Sequence, residues 1–346
     1  MDLYLLFHTV LMHISAAIVI LIYIPLSIPV KLFVWAFVKP LRKEDLRGKV
    51  VLITGSSSGI GECSLVVHGT YNHITDRGVI CSMDIRARRS TRWKASPAAR
   101  ERGAPDVLVV PGDVSDPEQS RRAVEETVAY FGKLNHLVAN AGAWSICFFD
   151  EITNITASTK MMDVNFWGSV YPTYYALPHL KASKGKLIVS SSIAATAPTS
   201  RLSLYNATKA AQLRFYETLR SELGSEVGVT TLTAGFVESE MTKGKAIQRD
   251  GEVAVDEEAR DVQIGVFPVA RVQKLCKAAL NGIRRGDWYR GTPTRYTTPK
   301  KGSPPLSQRM LDTTGAKRFY PPSLRHHPGI KMETTGDHEE DAASNV

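Results

Sequence analysis

The run from Lys49 to Gly61, KVVLITGSSSGIG, constrains the fold more than any other part of the chain. Val50 to Ile53 are apolar in succession, which reads as a strand buried on both faces. Gly55, Gly59 and Gly61 come directly after it and allow the backbone to turn sharply at the strand's carboxyl end. Five later runs repeat the pattern: VICSM from Val79, DVLVV from Asp106, NHLVAN from Asn135, KLIVS from Lys186 and VTTLTA from Val229. Helical stretches separate several of them, such as DPEQSRRAVEETVAYFG from Asp116 to Gly132. Strands alternating with helices predict right-handed crossovers and a doubly wound parallel α/β sheet, with ligands at the carboxyl ends of its strands. With 346 residues, 43% of them hydrophobic, the chain is long enough to bury one large core of this kind.

Ahead of the first strand, Leu3 to Val30 contains no Lys, Arg, Asp or Glu. A span that long and apolar suffices to cross a bilayer. The run has no basic residue before it and no small-residue cleavage site after it, which argues against a cleaved signal peptide. Pro25 and Pro29 divide it into two arms, Leu3 to Ile24 and Leu26 to Val38. Two arrangements fit: a single kinked span, or a hairpin that enters one leaflet or an oil phase and returns. Lys39, Arg42, Lys43 and Arg47 place the downstream chain on the cytosolic side. Residues 1–45 are thus an apolar anchor with a proline knot and a basic flank, 46–289 the α/β domain, and 290–346 an irregular tail ending in the acidic GDHEEDAASNV.

A net charge of +9 suits either an ordinary basic surface or an anionic cofactor or membrane. The chain lacks an interleaved basic and aromatic face and any zinc-ligand spacing, so a nucleic-acid partner and a metal site are not expected. Cys63, Cys81, Cys147 and Cys276 lack paired spacing, which fits a reducing compartment.

A second constellation carries chemistry. SLYNATKAAQLRFYETLRSEL reads as a helix, and Tyr205 and Lys209, four residues apart, share one face of it. A free phenol titrates near ~10. A nearby ammonium would lower that value and make Tyr205 an acid towards a carbonyl or a base towards an alcohol. Ser192, at the end of the preceding strand, is placed to hold the substrate oxygen.

Taken together these motifs resemble the short-chain dehydrogenase/reductase family, over roughly Lys49 to Trp288. The matching elements are Thr54 to Gly61 (TGSSSGIG), the NAG of Asn140, Ala141 and Gly142, Asp113 in GDV, Asn165 in DVNFWGS, and Ser192 with Tyr205 and Lys209. The resemblance implies a Rossmann-type sheet and catalysis by Asn165, Ser192, Tyr205 and Lys209. It implies a nicotinamide dinucleotide held by Gly55, Ser57, Gly59, Ile60, Gly61, Asp113, Asn140, Ala141, Gly142, Tyr205, Lys209 and Ser239. Arg86 stands where NADP-preferring members place an arginine for the 2′-phosphate, whereas Asp84 would suit the ribose hydroxyl of NAD; NADP is favoured. Within the family, the proline knot and the NFWGSVYPTYYALPHL and RDVQIGVFPVA stretches are similar to plant steroleosins, the hydroxysteroid dehydrogenase-like proteins of oil bodies. That similarity implies a steroid or sterol-like substrate. It also implies a lipid-droplet and endoplasmic-reticulum location with the domain facing the cytosol, favours the hairpin anchor, and leaves a homodimer open.

Four stretches depart from the family pattern. Ala234 stands in place of a proline, Glu62 to Arg77 lacks the helical periodicity expected after the glycines, and Ser90 to Arg102 loses the pattern. Arg290 to Gln308, rich in Pro, Thr and Lys, cannot bury a core. The principal expectation is an anchored NADP-dependent oxidoreductase acting between hydroxyl and ketone on a sterol-like lipid. The alternatives are a lipid-droplet coat or interaction protein with an inactive domain, and a dinucleotide-binding module without turnover.

Overall fold

A computed structural model describes residues 3–33, 37, 44–64, 79–83, 107–265, 267–286 and 289–291. The first segment is helical throughout. Helix α1 (Leu3–Ile18) passes through a π-helical turn, Val19–Tyr23, into α2 (Ile24–Phe33). Among the described residues the path from Leu3 to Phe33 is helical without a reversal, which fits the kinked-span alternative better than the hairpin. Pro25 sits in the first turn of α2, where its missing N–H leaves a short gap, and the π turn just before it relieves the clash with the preceding carbonyls. Tyr4–Val30, 27 residues, is long and apolar enough to cross a membrane. At the helical rise it measures about 40 Å against a hydrocarbon core of about 30 Å.

Seven strands form one parallel sheet: β1 (Val50–Thr54), β2 (Val79–Met83), β3 (Val107–Val110), β4 (His136–Ala139), β5 (Lys186–Ser192), β6 (Gly228–Ala234) and β9 (Tyr289–Gly291). Their order is β3-β2-β1-β4-β5-β6-β9, so the winding reverses between β1 and β4 and opens a crevice above that point. A small antiparallel hairpin, β7 (Lys245–Ile247) with β8 (Val253–Val255), lies apart from it. The helices are α3 (Pro117–Phe131), α4 (Thr159–Met162), α5 (Gly168–Ala182), α6 (Ser203–Leu223), α7 (Glu257–Ile264) and α8 (Val272–Arg285). The domain boundary expected between residues 289 and 290 falls inside a strand. Thr231 to Thr233 of β6 pair with Tyr289 to Gly291, so the seventh strand takes in the first two residues of the Pro- and Thr-rich stretch.

Alternation along the strands splits the core into two layers. Val50, Leu52, Leu137, Leu187, Val189 and Val229 pack with Ala123, Val124, Ala176, Leu180 and Tyr216 of the helices on one face. Val51, Ile53, Val138, Ile188 and Leu232 pack with Ala279 and Ile283 of α8 on the other. Helix α3 shows why its boundaries were legible. The Asp116 carboxylate accepts from the Glu118 and Gln119 amides at 2.8 and 3.1 Å, and Gly132 closes the far end at φ 73°.

Where the chain arrives from the anchor, Glu44 is tied to the amino ends of the strands. Its carboxylate lies 2.5 Å from Lys186 Nζ and 3.5 Å from His136 Nε2, and its main chain bonds Arg284. Burial alone would raise this carboxyl, but the hydrogen bond from His136 and the Lys186 ammonium hold it at about 2. Burial also lowers the His136 imidazole, which stands 3.5 Å from the carboxylate. Because the folded value lies below the ordinary 4.5, the stability this cluster supplies is complete above that pH and is lost as pH falls towards 2. Glu44→Gln is expected to cost about 2 kcal/mol in urea unfolding at neutral pH. The gap from the parent should narrow as the pH is lowered from 5 towards 3; a gap that stays constant would assign the cost to packing instead.

Candidate active site

The glycine turn is packed from several sides. Gly55 has φ +65°, and a Cβ placed on it would lie 2.7 Å from Ala141 Cα. A Cβ on Gly61 would lie 2.1 Å from the Gly55 carbonyl oxygen and 2.7 Å from Asn140 Nδ2. Gly59 has φ +59° and faces Ser239, whose Cβ would stand 3.1 Å from an added one. Residues 59–64 are helical, so the turn does open a helix, although the sequence from Glu62 onward lacks the expected periodicity. The backbone therefore presents amides at a helix start in a cradle that side chains would fill, which suits a dinucleotide pyrophosphate. Ser57 is buried within the same turn, and Ile60 packs beside Leu46, Cys63 and Cys276.

Asn140 and Ala141 close the cradle from β4. Their amides donate to Thr54 Oγ1 at 3.0 and 3.2 Å, and Asn140 Nδ2 donates to the Gly55 carbonyl at 3.1 Å. Ser190 Oγ donates to Asn140 Oδ1 at 2.9 Å, which links β5 to the same turn. The Asp113 carboxylate accepts from Ser115 N and Oγ at 2.9 and 2.7 Å, which fixes the loop after β3. Ser239 is held by its amide donating to Thr242 Oγ1 at 2.9 Å. Strand β6 ends at Ala234, so the replaced proline leaves the strand end intact. Arg86 and Asp84 lie outside the described residues.

Asn165, Ser192, Tyr205 and Lys209 are brought together at the carboxyl ends of β4 and β5. Ser192 is the last residue of β5, where its Oγ accepts from Ala194 N at 3.2 Å. Tyr205 is buried in the first turns of α6, with Trp144 edge-on at 6.3 Å between ring centroids. Burial pushes its phenol up, and the hydrogen bond with the Ser192 hydroxyl works in the other direction. Lys209 is buried, and its ammonium donates to the Ser190 carbonyl at 3.0 Å and to Gln212 Oε1 at 3.2 Å. Burial lowers it to about 8. The ammonium was expected to lower the phenol; in this arrangement burial and Ser192 set the phenol, while the ammonium is committed to Ser190 and Gln212. Asn165, fully buried in a π-helical turn (Asp163–Trp167), bonds Ala143 N and O through its amide at 2.8 Å each. Gly142 sits between them: a Cβ there would lie 3.3 Å from Asn165 Oδ1 and 3.7 Å from Lys209 Nζ.

Beside the hydroxyl pair the wall is apolar, with Trp144, Ile146, Met161, Leu202 and Ile247 packed around Tyr205. Trp144 Nε1 donates to the Lys245 carbonyl, so the hairpin after β6 closes this wall. Ser190, Trp144 and Gln212 also belong to the site, and sequence reasoning did not single them out; Thr54 was read only as the first residue of the glycine motif. For Gln212 a signal was present: a polar residue three positions after Lys209, on a helix face whose spacing requires burial.

Comparison with known proteins fits this geometry. Residues 49–250 match the family model for short chain dehydrogenases. The chain is 44% identical over 326 residues to 11-beta-hydroxysteroid dehydrogenase 1A of Arabidopsis thaliana, spanning 87% of this chain and 91% of that protein. It is 40% identical over 326 residues to 11-beta-hydroxysteroid dehydrogenase A of Arachis hypogaea, spanning 85% and 89%. Among solved structures it resembles 3-ketoacyl-(acyl-carrier-protein) reductase from Brucella melitensis complexed with NADH, at TM-score 0.58 and 23% identity over 72% of this chain and 98% of that one. It also resembles the NADPH-dependent 3-quinuclidinone reductase from Rhodotorula rubra, at TM-score 0.58 and 24% identity over 73% and 88%. These last two show the shared fold. By family model and by relatives matched along most of their length, the chain belongs to the short-chain dehydrogenase/reductase family, among relatives of the plant 11-beta-hydroxysteroid dehydrogenases.

Proposed function

We propose that this protein is a membrane- or lipid-droplet-anchored, NADP-dependent oxidoreductase that interconverts a hydroxyl and a ketone on a steroid or sterol-like lipid. The observation that carries the reading is Ser192, Tyr205 and Lys209 gathered at the carboxyl end of the sheet, one side of the phenol facing an apolar wall. The glycine cradle, Asn140, Gly142 and Ser239 are the residues that would hold the dinucleotide, with Arg86 setting its preference for NADP. When bound, the nicotinamide supplies or accepts the hydride.

The chain's own groups handle the oxygen and the proton. Ser192 Oγ holds the substrate oxygen beside the phenol. Tyr205 Oη gives a proton to that oxygen in reduction and takes one from it in oxidation. Lys209, kept from solvent and held at the Ser190 carbonyl, would meet the ribose of the bound dinucleotide, as the family resemblance implies. The apolar wall excludes water and suits a fused-ring lipid better than a charged metabolite. The exposed apolar helix Tyr4–Val30 supplies the means of attachment to a membrane or monolayer.

Full-length protein in detergent should oxidise NADPH in the presence of steroid ketones, with NADH a poorer donor. In a flotation gradient it should rise with lipid droplets and leave them when residues 3–33 are removed. Absence of steroid-dependent NADPH oxidation across a panel of steroid ketones, in protein that binds NADPH, would favour a binding module. Full-length protein recovered in the soluble fraction would exclude the anchored reading.

A further inference from the structure

We propose that Gln212 is a positioning residue of the active site, whose side-chain amide ties the Lys209 ammonium to the backbone carbonyl of Asn165 and so keeps that ammonium charged and in place. Gln212 is fully buried on the α6 face that also carries Tyr205, Lys209 and Tyr216. A buried primary amide is costly unless both of its ends are bonded. Both ends are: Oε1 accepts from Lys209 Nζ at 3.2 Å, and Nε2 donates to the Asn165 carbonyl at 2.9 Å. An ammonium can only donate and a carbonyl can only accept, so the amide has one usable orientation.

The consequence reaches past one hydrogen bond. The Asn165 side chain is spent on Ala143 and on Thr208 Oγ1, so it does not itself reach the lysine. Gln212 is the covalent reach from that turn to the ammonium. On the other side Lys209 holds the Ser190 carbonyl, Ser190 Oγ holds Asn140, and Asn140 holds the Gly55 carbonyl of the glycine turn. An unbroken chain of bonds therefore runs from the Asn165 turn through Gln212 and Lys209 to the cofactor cradle. Without Gln212 the ammonium keeps one protein acceptor in a buried site, where lost hydrogen bonding favours the neutral amine. Few other groups compete. The titratable groups on its own helix face are the phenols of Tyr205 and Tyr216; β5 presents the Ser190 carbonyl, the Asn165 turn a carbonyl, and Gly142 no side chain. Among the described residues, burial is the resolved influence on Lys209, with no carboxylate, imidazole or second ammonium contributing.

The functional meaning of this assignment rests on the proposed oxidoreductase reading, but its first readout does not. In full-length protein without cofactor, the 13Cε resonance of Lys209, identified by its loss in Lys209→Arg, is titrated in the parent, Gln212→Leu, Gln212→Met and Gln212→Glu. The parent midpoint is expected at about 8. Either apolar variant should lower it by about one unit, and the carboxylate of Gln212→Glu should raise it by a similar amount. Opposite shifts are what a packing role cannot produce. Two apolar variants of different shape keep the test open if one fails to fold. The second readout is the alkaline limb of kcat for NADPH-driven reduction of a steroid ketone. It should move with the lysine midpoint in each variant, with KM for the steroid nearly unchanged. A Lys209 midpoint that is the same in the parent and in every folded variant would overturn the proposal. If no variant and no parent turns over steroid, the oxidoreductase reading fails while the titration still decides the role of Gln212.

Discussion

Tyr205→Phe is expected to lower kcat for steroid-dependent NADPH oxidation by about 10²–10⁴-fold, the usual cost of losing a positioned proton donor. The ring packs edge-on against Trp144 within an apolar wall, and the substitution keeps that contact. Only the hydroxyl goes, together with its hydrogen bond to Ser192, so the melting temperature should change by no more than a few degrees. NADPH affinity should stay near that of the parent. Lys209→Ala should differ in kind: it strips the acceptors Ser190 O and Gln212 Oε1 of their donor in a buried site and, by the family resemblance, removes a contact to the ribose. Binding as well as turnover should suffer there. Calorimetric NADPH titration set beside steady-state kinetics separates the two variants. Full activity in Tyr205→Phe would show that another group moves the proton, and the proposed mechanism would be wrong.

Local signals carried the frame of this molecule unequally. Strand β2 and helix α6 fell where apolar runs and helical spacing put them, and α3 was bracketed by Asp116 and Gly132. Those signals depend on a handful of consecutive residues. The seven-strand order, by contrast, is a matter of which distant segments pair, and β9 is a three-residue strand that no periodicity could mark. The proline pair was ambiguous for a related reason. Pro25 and Pro29 read as a bend that left a kinked span and a hairpin both open, and a π turn ahead of Pro25 lets the helix continue. At the site, Tyr205, Lys209 and Ser192 were recognisable because their types and spacing carry the chemistry, and Asn165 was recognisable only through the family resemblance. The groups that join them were not. The Asn165–Gln212–Lys209–Ser190 chain of bonds crosses from one turn to a helix and back to a strand, and only burial makes each polar atom's partner decisive. Asp113 was named by resemblance alone, and its Oδ1 accepts from Ser115 N and Oγ within its own loop.

Gly61→Ala is expected to weaken NADPH binding by about 10²-fold, because it displaces the cradle by the order of an ångström. The added methyl would sit 2.1 Å from the Gly55 carbonyl oxygen and 2.7 Å from Asn140 Nδ2. Neither neighbour can yield freely. Asn140 Nδ2 donates to that same carbonyl, and Gly55 is itself backed against Ala141, where even its own missing Cβ would find Ala141 Cα at 2.7 Å. The glycine turn is thus wedged between the helix start and the segment after β4, so relief requires moving backbone, at about 1–3 kcal/mol of overpacking. Gly132→Ala is the control. Unlike Gly61, that glycine has positive φ, and it caps α3 with open space around it, so its strain lowers stability without touching the cradle. Thermal unfolding and NADPH titration should therefore separate the two: both proteins less stable than the parent, only Gly61→Ala impaired in binding. Gly59→Ala, which meets Ser239 Cβ at 3.1 Å, serves if Gly61→Ala does not fold, and should show the smaller loss of affinity because a serine side chain can give way. Parent-like NADPH affinity in folded Gly61→Ala would place the dinucleotide somewhere other than this turn.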